Sequence, residues 1–326
     1  MTSPPSEPPS APEPAPDLAP DPAPDPRSAA LPEPQRPEMR VIAPVATSLG
    51  EGPLWHPLRQ DLFWVDINRR DLFACGPAGE APRRWRFGEA AGSLAWIDRD
   101  SLLVAGETAL WRFDVETAEA RPVWPLEADD ATTRANDGRC ARDGAFWVGT
   151  MGWRHGEGAG AIHRVTRDGP RRLRGGVTVP NAIAFAPDGR TAYWTDTPAG
   201  AILRQPLDAS GAPEGPAEVF AHPTRGFADG AVCDAEGHLW NAEWDGWRLT
   251  RWRPDGTVER IVEMPVQRPT CPAFGGADLR TIYVTSARTG LDDAALSAQP
   301  AAGSILAFDV EVEGLAEARF TGLDAT

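Results

Sequence analysis

The chain repeats one short pattern of apolar and polar positions. A tight turn rich in Gly, Asp or Pro precedes an apolar run that carries Trp, Tyr or Phe, and a second apolar or alternating run follows. Turn chemistry followed by such runs is typical of β-hairpins. The first runs are residues 62–66, 145–149, 191–196, 238–242 and 279–285, and the predicted partner strands include residues 110–114, 161–165, 202–207 and 249–253.

The spacing of this unit predicts the architecture. It returns at intervals of roughly 40–50 residues, which is the length of one four-stranded blade of a β-propeller. About 285 residues carry the pattern, so we predict an all-β, six-bladed β-propeller over residues 39–326. To close the ring, residues 303–310, with residues 316–322 as a further candidate, are expected to pair with the first strand near residues 41–47. Two β-sandwiches are a weaker alternative, because no linker interrupts the series.

Residues 1–38 have a different composition. They are rich in Pro, Ala, Ser, Asp and Glu, and they contain no aromatic residue. Such a segment has too few apolar side chains to offset the entropy lost on ordering. We therefore predict a disordered, Pro-rich N-terminal tail that lies outside the folded domain and takes no part in catalysis.

Charge and composition narrow the class of partner. The formal net charge is −15, with 41% hydrophobic residues and 13 Trp, so the chain is acidic and has enough apolar residues for a large core. An acidic surface disfavours nucleic acid and anionic membranes. The apolar runs are too short for a membrane span, and an apolar export signal is absent from the N-terminus. We expect a cytoplasmic protein without nucleic-acid or membrane partners.

The cysteines and histidines exclude several kinds of site. Cys75, Cys140, Cys233 and Cys271 show no spacing typical of a zinc site, and we expect buried, reduced thiols. The five histidines form no HxH or HExxH motif, which argues against a His-rich zinc centre. The nucleophile elbow of serine hydrolases and the phosphate-binding P-loop motif are also missing.

A few polar residues interrupt otherwise apolar stretches at corresponding positions of different repeats. Glu51 stands between two glycines, Asn181 lies in an apolar run, and Asp229 precedes Gly230. Residues 134–139 (RANDGR) form a fourth such stretch. In a propeller these positions converge on one mouth of the central channel. Two carboxylates and an amide facing one channel are costly unless a cation or proton compensates them, and oxygen ligands suit a hard divalent ion such as Ca²⁺ or Mg²⁺.

An ordered set of motifs resembles the SMP-30/gluconolactonase/regucalcin family over nearly the whole chain from residue 41 onward. The motifs are residues 49–53 (LGEGP), 134–138 (RANDG), 149–151 (GTM), 228–230 (ADG) and 271–279 (CPAFGGADL), with Asn181 followed by residues 187–189 (PDG). The resemblance implies a six-bladed propeller with one divalent metal in its channel. It also implies a sugar-acid lactonase that acts on an aldonolactone such as glucono-, xylono- or arabinonolactone.

The resemblance also implies roles for individual residues. Glu51, Asn181 and Asp229 correspond to metal ligands, and Asp229 could also accept a proton from the attacking water. Arg134, Asn136 and Asp137 correspond to substrate-binding residues, with Asp137 as an additional polar group at the channel mouth. Ca²⁺ is the preferred ion, with Zn²⁺, Mn²⁺, Mg²⁺ and Fe²⁺ as alternatives. The sequence departs from the family at residues 152–157, so we assign Glu157 no role.

Two alternative functions are compatible with the same residues. A phosphotriesterase-like hydrolase could use the same cation to polarise a phosphoryl oxygen. A calcium-binding propeller without turnover would bind the metal tightly, and its Pro-rich tail would serve to capture partners. The sequence leaves open which lactone is used, which ion is bound and whether the protein is monomeric.

Overall fold

The computed structural model describes residues 30–223 and 225–324. Six four-stranded antiparallel sheets are arranged as blades around a channel, which confirms the predicted six-bladed β-propeller. Blades 1–3 consist of β2 (Gly50–His56), β3 (Asp61–Asp66), β4 (Asp71–Cys75) and β5 (Arg83–Arg86); β6 (Ala91–Asp98), β7 (Ser101–Gly106), β8 (Ala109–Asp114) and β9 (Ala120–Pro125); and β10 (Thr133–Cys140), β11 (Phe146–Gly152), β12 (Gly160–Thr166) and β13 (Gly169–Val177).

The other three blades repeat this order. Blades 4–6 consist of β14 (Pro180–Phe185), β15 (Thr191–Asp196), β16 (Ile202–Pro206) and β17 (Glu218–Ala221); β18 (Phe227–Cys233), β19 (Leu239–Trp244), β20 (Arg248–Trp252) and β21 (Val258–Glu263); and β22 (Pro269–Gly275), β23 (Thr281–Ser286), β24 (Ile305–Asp309) and β1 (Arg40–Ala43). A short 3-10 helix (Thr197–Ala199) follows β15, and α1 (Asp293–Ala298) lies between β23 and β24. No described helix has the length and apolarity needed to span a bilayer.

The ring is closed by pairing the two ends of the domain. β1 is the outer strand of blade 6 and pairs antiparallel with β24, as predicted for residues 303–310. On the solvent-exposed side, the Arg40 guanidinium donates two hydrogen bonds to the Asp309 carboxylate, and this contact links β1 to β24. Residues 316–322 form no strand, so the prediction of a further strand there is wrong.

Instead, the segment after β24 crosses the end of the channel away from the starts of the inner strands. Its backbone contacts the far ends of several inner strands. The Phe320 amide donates to the Trp96 carbonyl at 2.9 Å, and Gly314 forms an isolated antiparallel β-bridge with Asp234. Glu317 forms a buried ion pair with Arg139 on β10. Because these contacts hold the segment across the end of the channel, it cannot also pair with the edge of a sheet.

The folded domain begins earlier than predicted. Gln35 lies within the stretch assigned to the tail, yet its amide donates to the Ile261 carbonyl at 2.8 Å and its carbonyl accepts from the Glu263 amide at 2.9 Å. The compact unit starts at Leu31. Residues 1–29 of the predicted tail lie outside the described residues.

The core consists of apolar clusters between neighbouring blades, and the aromatic residues of the repeated pattern fill them. Trp55 of blade 1 stacks on Tyr283 of blade 6 with ring centroids 5.7 Å apart, and Trp147 of blade 3 packs edge-on against Phe185 of blade 4 at 5.4 Å. Glycines with positive φ close the predicted turns, for example Gly144 at 84°. The four cysteines are buried and unpaired.

Candidate active site

The site residues predicted from the sequence lie near the starts of the inner strands of four blades. Glu51 is on β2, Arg134 and Asn136 are on β10, Asn181 is on β14 and Asp229 is on β18. Because all blades run in the same order, these strand starts meet at one mouth of the channel. They open onto a cavity of about 360 Å³. The residues that line it are Leu49, Glu51, Arg134, Asn136, Met151, His155, Val179, Asn181, Thr197, Pro198, Phe227, Ala228, Asp229 and Trp244.

Each of these strands carries an irregularity in its pairing at the site residue. The register with the second strand of the blade shifts between Glu51 and Leu54, Ala135 and Gly138, Asn181 and Ala184, and Ala228 and Ala231. A β-bulge leaves a residue unpaired, bends the strand and re-aims its side chains. The bulges therefore turn these polar side chains toward the channel instead of into the packing between blades.

The local sequence explains why two of the bulges form. In β2, Gly52 adopts a φ of 56°, which glycine tolerates, and Pro53 lies where the ladder is broken and an N–H is not needed. In β14, Ala182 adopts a φ of 55° directly after Asn181. This left-handed conformation costs a non-glycine residue about 1–2 kcal/mol, so the surrounding fold must hold it in place.

Close packing and one amide hold the bulge that carries Asp229. A Cβ atom on Gly230 would lie 2.3 Å from the Cys271 Sγ, so only glycine lets β18 approach β22 this closely. The Asn241 Nδ2 on β19 donates to the Asp229 and Gly230 carbonyls at 3.0 and 3.1 Å. Sequence reasoning missed Asn241, although a polar residue inside the apolar run 238–242 is the same kind of signal that identified Asn181.

Asn136 holds the residues on either side of it. Its Nδ2 donates to the Pro180 carbonyl and to the Asn181 Oδ1, both at 2.9 Å, so both amide hydrogens are used. Its Oδ1 accepts a hydrogen bond from the Arg134 Nη1 at 2.8 Å. Asn136 therefore positions Arg134 and Asn181. Of its hydrogen-bonding groups, one lone pair on Oδ1 is left to accept a hydrogen bond from a substrate.

Asp137 has a different placement from the one predicted. Its Oδ2 accepts from the Ile183 amide at 2.7 Å and its Oδ1 from the Gly138 amide at 2.8 Å. It is buried and is not among the residues that line the cavity. The geometry ties β10 to β14 across the hub, and it does not support the predicted contact with substrate at the channel mouth.

The orientation of the Asn181 amide follows from its neighbours. Its Nδ2 donates to the Thr197 Oγ1 at 3.0 Å, and that hydroxyl donates to the Ala228 carbonyl at 2.9 Å. Because the hydroxyl hydrogen is already used, Thr197 can only accept from Asn181, which leaves the Asn181 Oδ1 on the side of Asn136 and the channel. Nothing in the sequence around Thr197 predicted this role.

The two carboxyl groups that face the cavity are buried, and neither forms a salt bridge with another described residue. Burial, followed by the negative charge of Asp137, raises the pKa of Glu51 to about 8. Burial, followed by the charge of Glu51, raises the pKa of Asp229 well above its usual range. Burial also lowers the pKa of Arg134 to about 10. The protein itself therefore supplies too little positive charge to balance the two carboxylates in this cavity.

This donor set fits a hard divalent cation. Carboxylate and amide oxygens are the ligands that Ca²⁺ and Mg²⁺ prefer. Within the described part of the chain, no three His, Cys, Asp or Glu side chains are grouped for metal binding. A metal bound here would therefore need at least one neutral oxygen ligand, and the Asn181 amide is the candidate beside Glu51 and Asp229.

Two more residues missed by sequence reasoning, Trp153 and Glu107, support Arg134. The guanidinium lies over the Trp153 ring, 5.3 Å from its centroid, and the Trp153 Nε1 donates to the Glu107 Oε1 at 3.1 Å. Glu107 is also 3.5 Å from the Arg70 guanidinium. Trp153 falls in the segment 152–157, where the sequence departs from the family motifs, so those motifs could not have identified it. Glu157, to which no role was assigned, is exposed and does not line the cavity.

Fold and site together define a six-bladed β-propeller with a carboxylate-and-amide site at the mouth of its channel. Residues 49–288 match the family described as the SMP-30/Gluconolactonase/LRE-like region, and the chain belongs to this family.

Relatives and solved structures agree with this assignment. The chain is 35% identical over 280 residues to a 6-deoxy-6-sulfogluconolactonase of Pseudomonas putida, covering 84% of this chain and 95% of that protein. It is 34% identical over 292 residues to an L-arabinolactonase of Azospirillum brasilense, covering 86% and 95%. The crystal structure of a calcium-binding protein, regucalcin, from Agrobacterium tumefaciens superposes with a TM-score of 0.85 at 37% identity, covering 87% of this chain and 98% of that one.

Proposed function

We propose that this protein hydrolyses the lactone of a sugar acid to the open-chain acid, with a divalent metal ion held at the channel mouth. The observation that carries this proposal is that two buried carboxylates, which have no salt-bridge partner among the described residues, share one cavity with the Arg134 guanidinium. The relatives named as lactonases support the choice of substrate class.

Glu51, Asn181 and Asp229 would hold the metal. A divalent cation bound there supplies Lewis-acid polarisation of the lactone carbonyl. Ca²⁺ is our first choice, because the ligands are all oxygen and a relative of known structure is described as calcium-binding. Zn²⁺, Mn²⁺, Mg²⁺ and Fe²⁺ remain alternatives to test.

Arg134 binds the substrate and orients it. Its Nη1 is held by the Ala135 carbonyl and the Asn136 Oδ1, both at 2.8 Å, so the rest of the guanidinium is available to donate to a lactone oxygen or hydroxyl. The stack on Trp153 and the bond to Asn136 fix the side chain before substrate arrives. Such preorganisation lowers the entropy cost of bringing the reacting groups together.

Asp229 accepts the proton of the attacking water. The water oxygen bonds to the carbonyl carbon, the bond from that carbon to the ring oxygen breaks, and the proton held by Asp229 passes to the ring oxygen, which becomes a hydroxyl. As a carboxylate Asp229 takes the proton during the attack, and as a carboxylic acid it releases that proton to the more basic alkoxide. We also propose a small-molecule sugar lactone as the partner and a cytoplasmic location.

The test is an Asp229→Asn variant assayed on glucono-, xylono- and arabinonolactone with each candidate metal in turn. Loss of a general base typically costs 10²–10⁴-fold, so we expect kcat to fall by about 100-fold or more. Asp188→Asn is the matched control, because Asp188 caps an exposed turn by accepting from the Arg190 amide.

Turnover by Asp229→Asn equal to that of the control would remove Asp229 from the mechanism. Metal binding by the wild-type protein without turnover of any lactone would favour a calcium-binding propeller. Hydrolysis of an organophosphate faster than of every lactone would favour the phosphotriesterase alternative.

A further inference from the structure

The polar groups of the cavity are concentrated at its floor. Glu51, Arg134, Asn136, Asn181 and Asp229 all come from the starts of the inner strands. The rest of the lining is mostly apolar and consists of Leu49, Met151, Val179, Pro198, Phe227, Ala228 and Trp244, with Thr197 and His155. The Thr197 hydroxyl is already used twice, by Asn181 and by the Ala228 carbonyl. Hydroxyl groups of a substrate that rise above the floor therefore meet few hydrogen-bonding partners.

An aromatic pair forms part of this apolar wall. Phe227 on β18 and Trp244 on β19 are directly opposed across the two strands, so their side chains share one face. Phe227 is 52% exposed and lines the cavity, so its ring is accessible to a bound substrate. It precedes Asp229 by two residues, which is about 7 Å along an extended strand.

The wall also lacks free positive charge. Of the described residues that line the cavity, only Arg134 at the floor and His155 at the rim can carry a positive charge. Arg268 stacks on Trp244, with the guanidinium carbon 4.7 Å from the ring centroid, but its Nε donates to the Asp245 Oδ1 at 2.6 Å. Its charge is therefore already neutralised, and the described residues at the apolar end of the cavity offer no free positive charge to a sulfonate or phosphate.

We propose that the preferred substrate is a lactone whose terminal carbon is uncharged and apolar, namely a terminal-deoxy sugar lactone whose methyl group packs against Phe227 and Trp244. This inference rests on the proposed function and deepens it. It sets this chain apart from its relative named for a sulfonated substrate, because a charged terminal group would lose its hydration against Phe227 and gain no counter-ion.

The experiment compares matched pairs that differ only at the terminal carbon: D-gluconolactone with D-quinovonolactone, L-galactonolactone with L-fuconolactone, and L-mannonolactone with L-rhamnonolactone. A substrate group that fits an apolar pocket is worth about tenfold in kcat/KM, so we expect the deoxy member of the best-used pair to lead by about tenfold. Gluconolactone with a terminal sulfonate is expected to be the poorest substrate. Phe227→Asn should abolish the deoxy preference. Leu58→Asn, at a residue that is 53% exposed in a turn between β2 and β3, is the matched control and should keep it.

A second readout does not depend on catalysis. Lactams, in which nitrogen replaces the ring oxygen, resist hydrolysis, so calorimetry can measure their affinity with and without added Ca²⁺. We expect the quinovonic lactam to bind about tenfold more tightly than the gluconic lactam, and Phe227→Asn to equalise them. Equal affinities in the wild-type protein, or a preference that Phe227→Asn leaves unchanged, would overturn the inference. A preserved lactam preference without turnover of any lactone would overturn the proposed function alone, and failure of every lactam to bind together with no turnover of any lactone would overturn both.

Discussion

Removal of the Glu317 carboxylate should destabilise the propeller more than removal of any exposed acid. Glu317 and Arg139 are 7% and 6% exposed and form an ion pair under the hub. Among the described residues, the remaining contacts of the guanidinium are a hydrogen bond to the Pro272 carbonyl at 3.2 Å and a weak one to the Cys271 Sγ at 3.9 Å, and the Nε has no hydrogen-bond partner there. Glu317→Gln would leave a buried positive charge without its counter-ion.

The expected cost follows from that geometry. Breaking a buried ion pair by removing one partner costs about 3–5 kcal/mol. A domain has about 5–15 kcal/mol of net stability, so this change removes a large share of it. At about 2 °C per kcal/mol for a domain of this size, the midpoint of thermal unfolding should fall by roughly 6–10 °C. Urea unfolding and calorimetry measure both quantities.

Two further variants separate the buried charge from other effects. Glu311→Gln is the matched control: Glu311 also pairs with an arginine, Arg260 at 3.2 Å, but its side chain is 88% exposed, so its loss should cost about 1 kcal/mol or less. The double variant Arg139→Met with Glu317→Leu removes both charges and should recover most of the lost stability. If Glu317→Gln is no less stable than Glu311→Gln, or if the double variant is as unstable as Glu317→Gln alone, the explanation from an uncompensated charge is wrong.

Three other predictions concern the site and the closure of the ring. Trp153→Leu removes the ring that lies 5.3 Å from the Arg134 guanidinium and should raise KM about 5–30-fold with little change in kcat. Trp153→Phe keeps an aromatic ring and should restore most of the loss. Steady-state kinetics that show a fall in kcat alone would contradict a positioning role. Gly230→Ala puts a methyl group 2.3 Å from the Cys271 Sγ and should cost about 1–3 kcal/mol while weakening Ca²⁺ binding. Calorimetry that finds unchanged Ca²⁺ affinity would contradict the idea that the packing of β18 on β22 places Asp229. The contact with Arg40 lowers the pKa of Asp309 to about 2. The stability that this contact adds is fully present above pH 3.8, the pKa of the carboxyl in the unfolded chain, and is lost as the pH falls from there toward 2. Because both side chains are exposed, Asp309→Asn should cost under about 1 kcal/mol at neutral pH and still less at pH 3, and urea midpoints that differ equally at both pH values would refute that assignment.

Much of the fold could be predicted because it is encoded locally. Asp-Gly and related turns, the aromatic runs that follow them and their recurrence at blade length are properties of neighbouring residues, so the number and order of the blades followed from the sequence. The closure of the ring by β1 and β24 followed from the rule that a propeller leaves no open edge. The course of residues 316–322 could not be predicted, because their partners, Arg139 and Trp96, are far away in the sequence.

The candidate site divides in the same way. Glu51, Asn181 and Asp229 could be recognised because a polar residue in an apolar run is conspicuous, and the repeat register brings such positions to one mouth. The side-chain directions could not be predicted, because they depend on bulges and on contacts between blades: Asp137 faces the Ile183 amide instead of the cavity.

The sequence by itself determined which residues are in the inner strands and which oxygen-bearing side chains interrupt them, since both follow from the local pattern of turns and apolar runs. Only the tertiary structure decided which of those side chains face the cavity, that Trp153 and Asn241 support them, and that Phe227 and Trp244 line the wall above. The physical reason is that a hydrogen bond, a ring stack or a shared cavity depends on distances between blades, and the order of residues along the chain does not contain those distances.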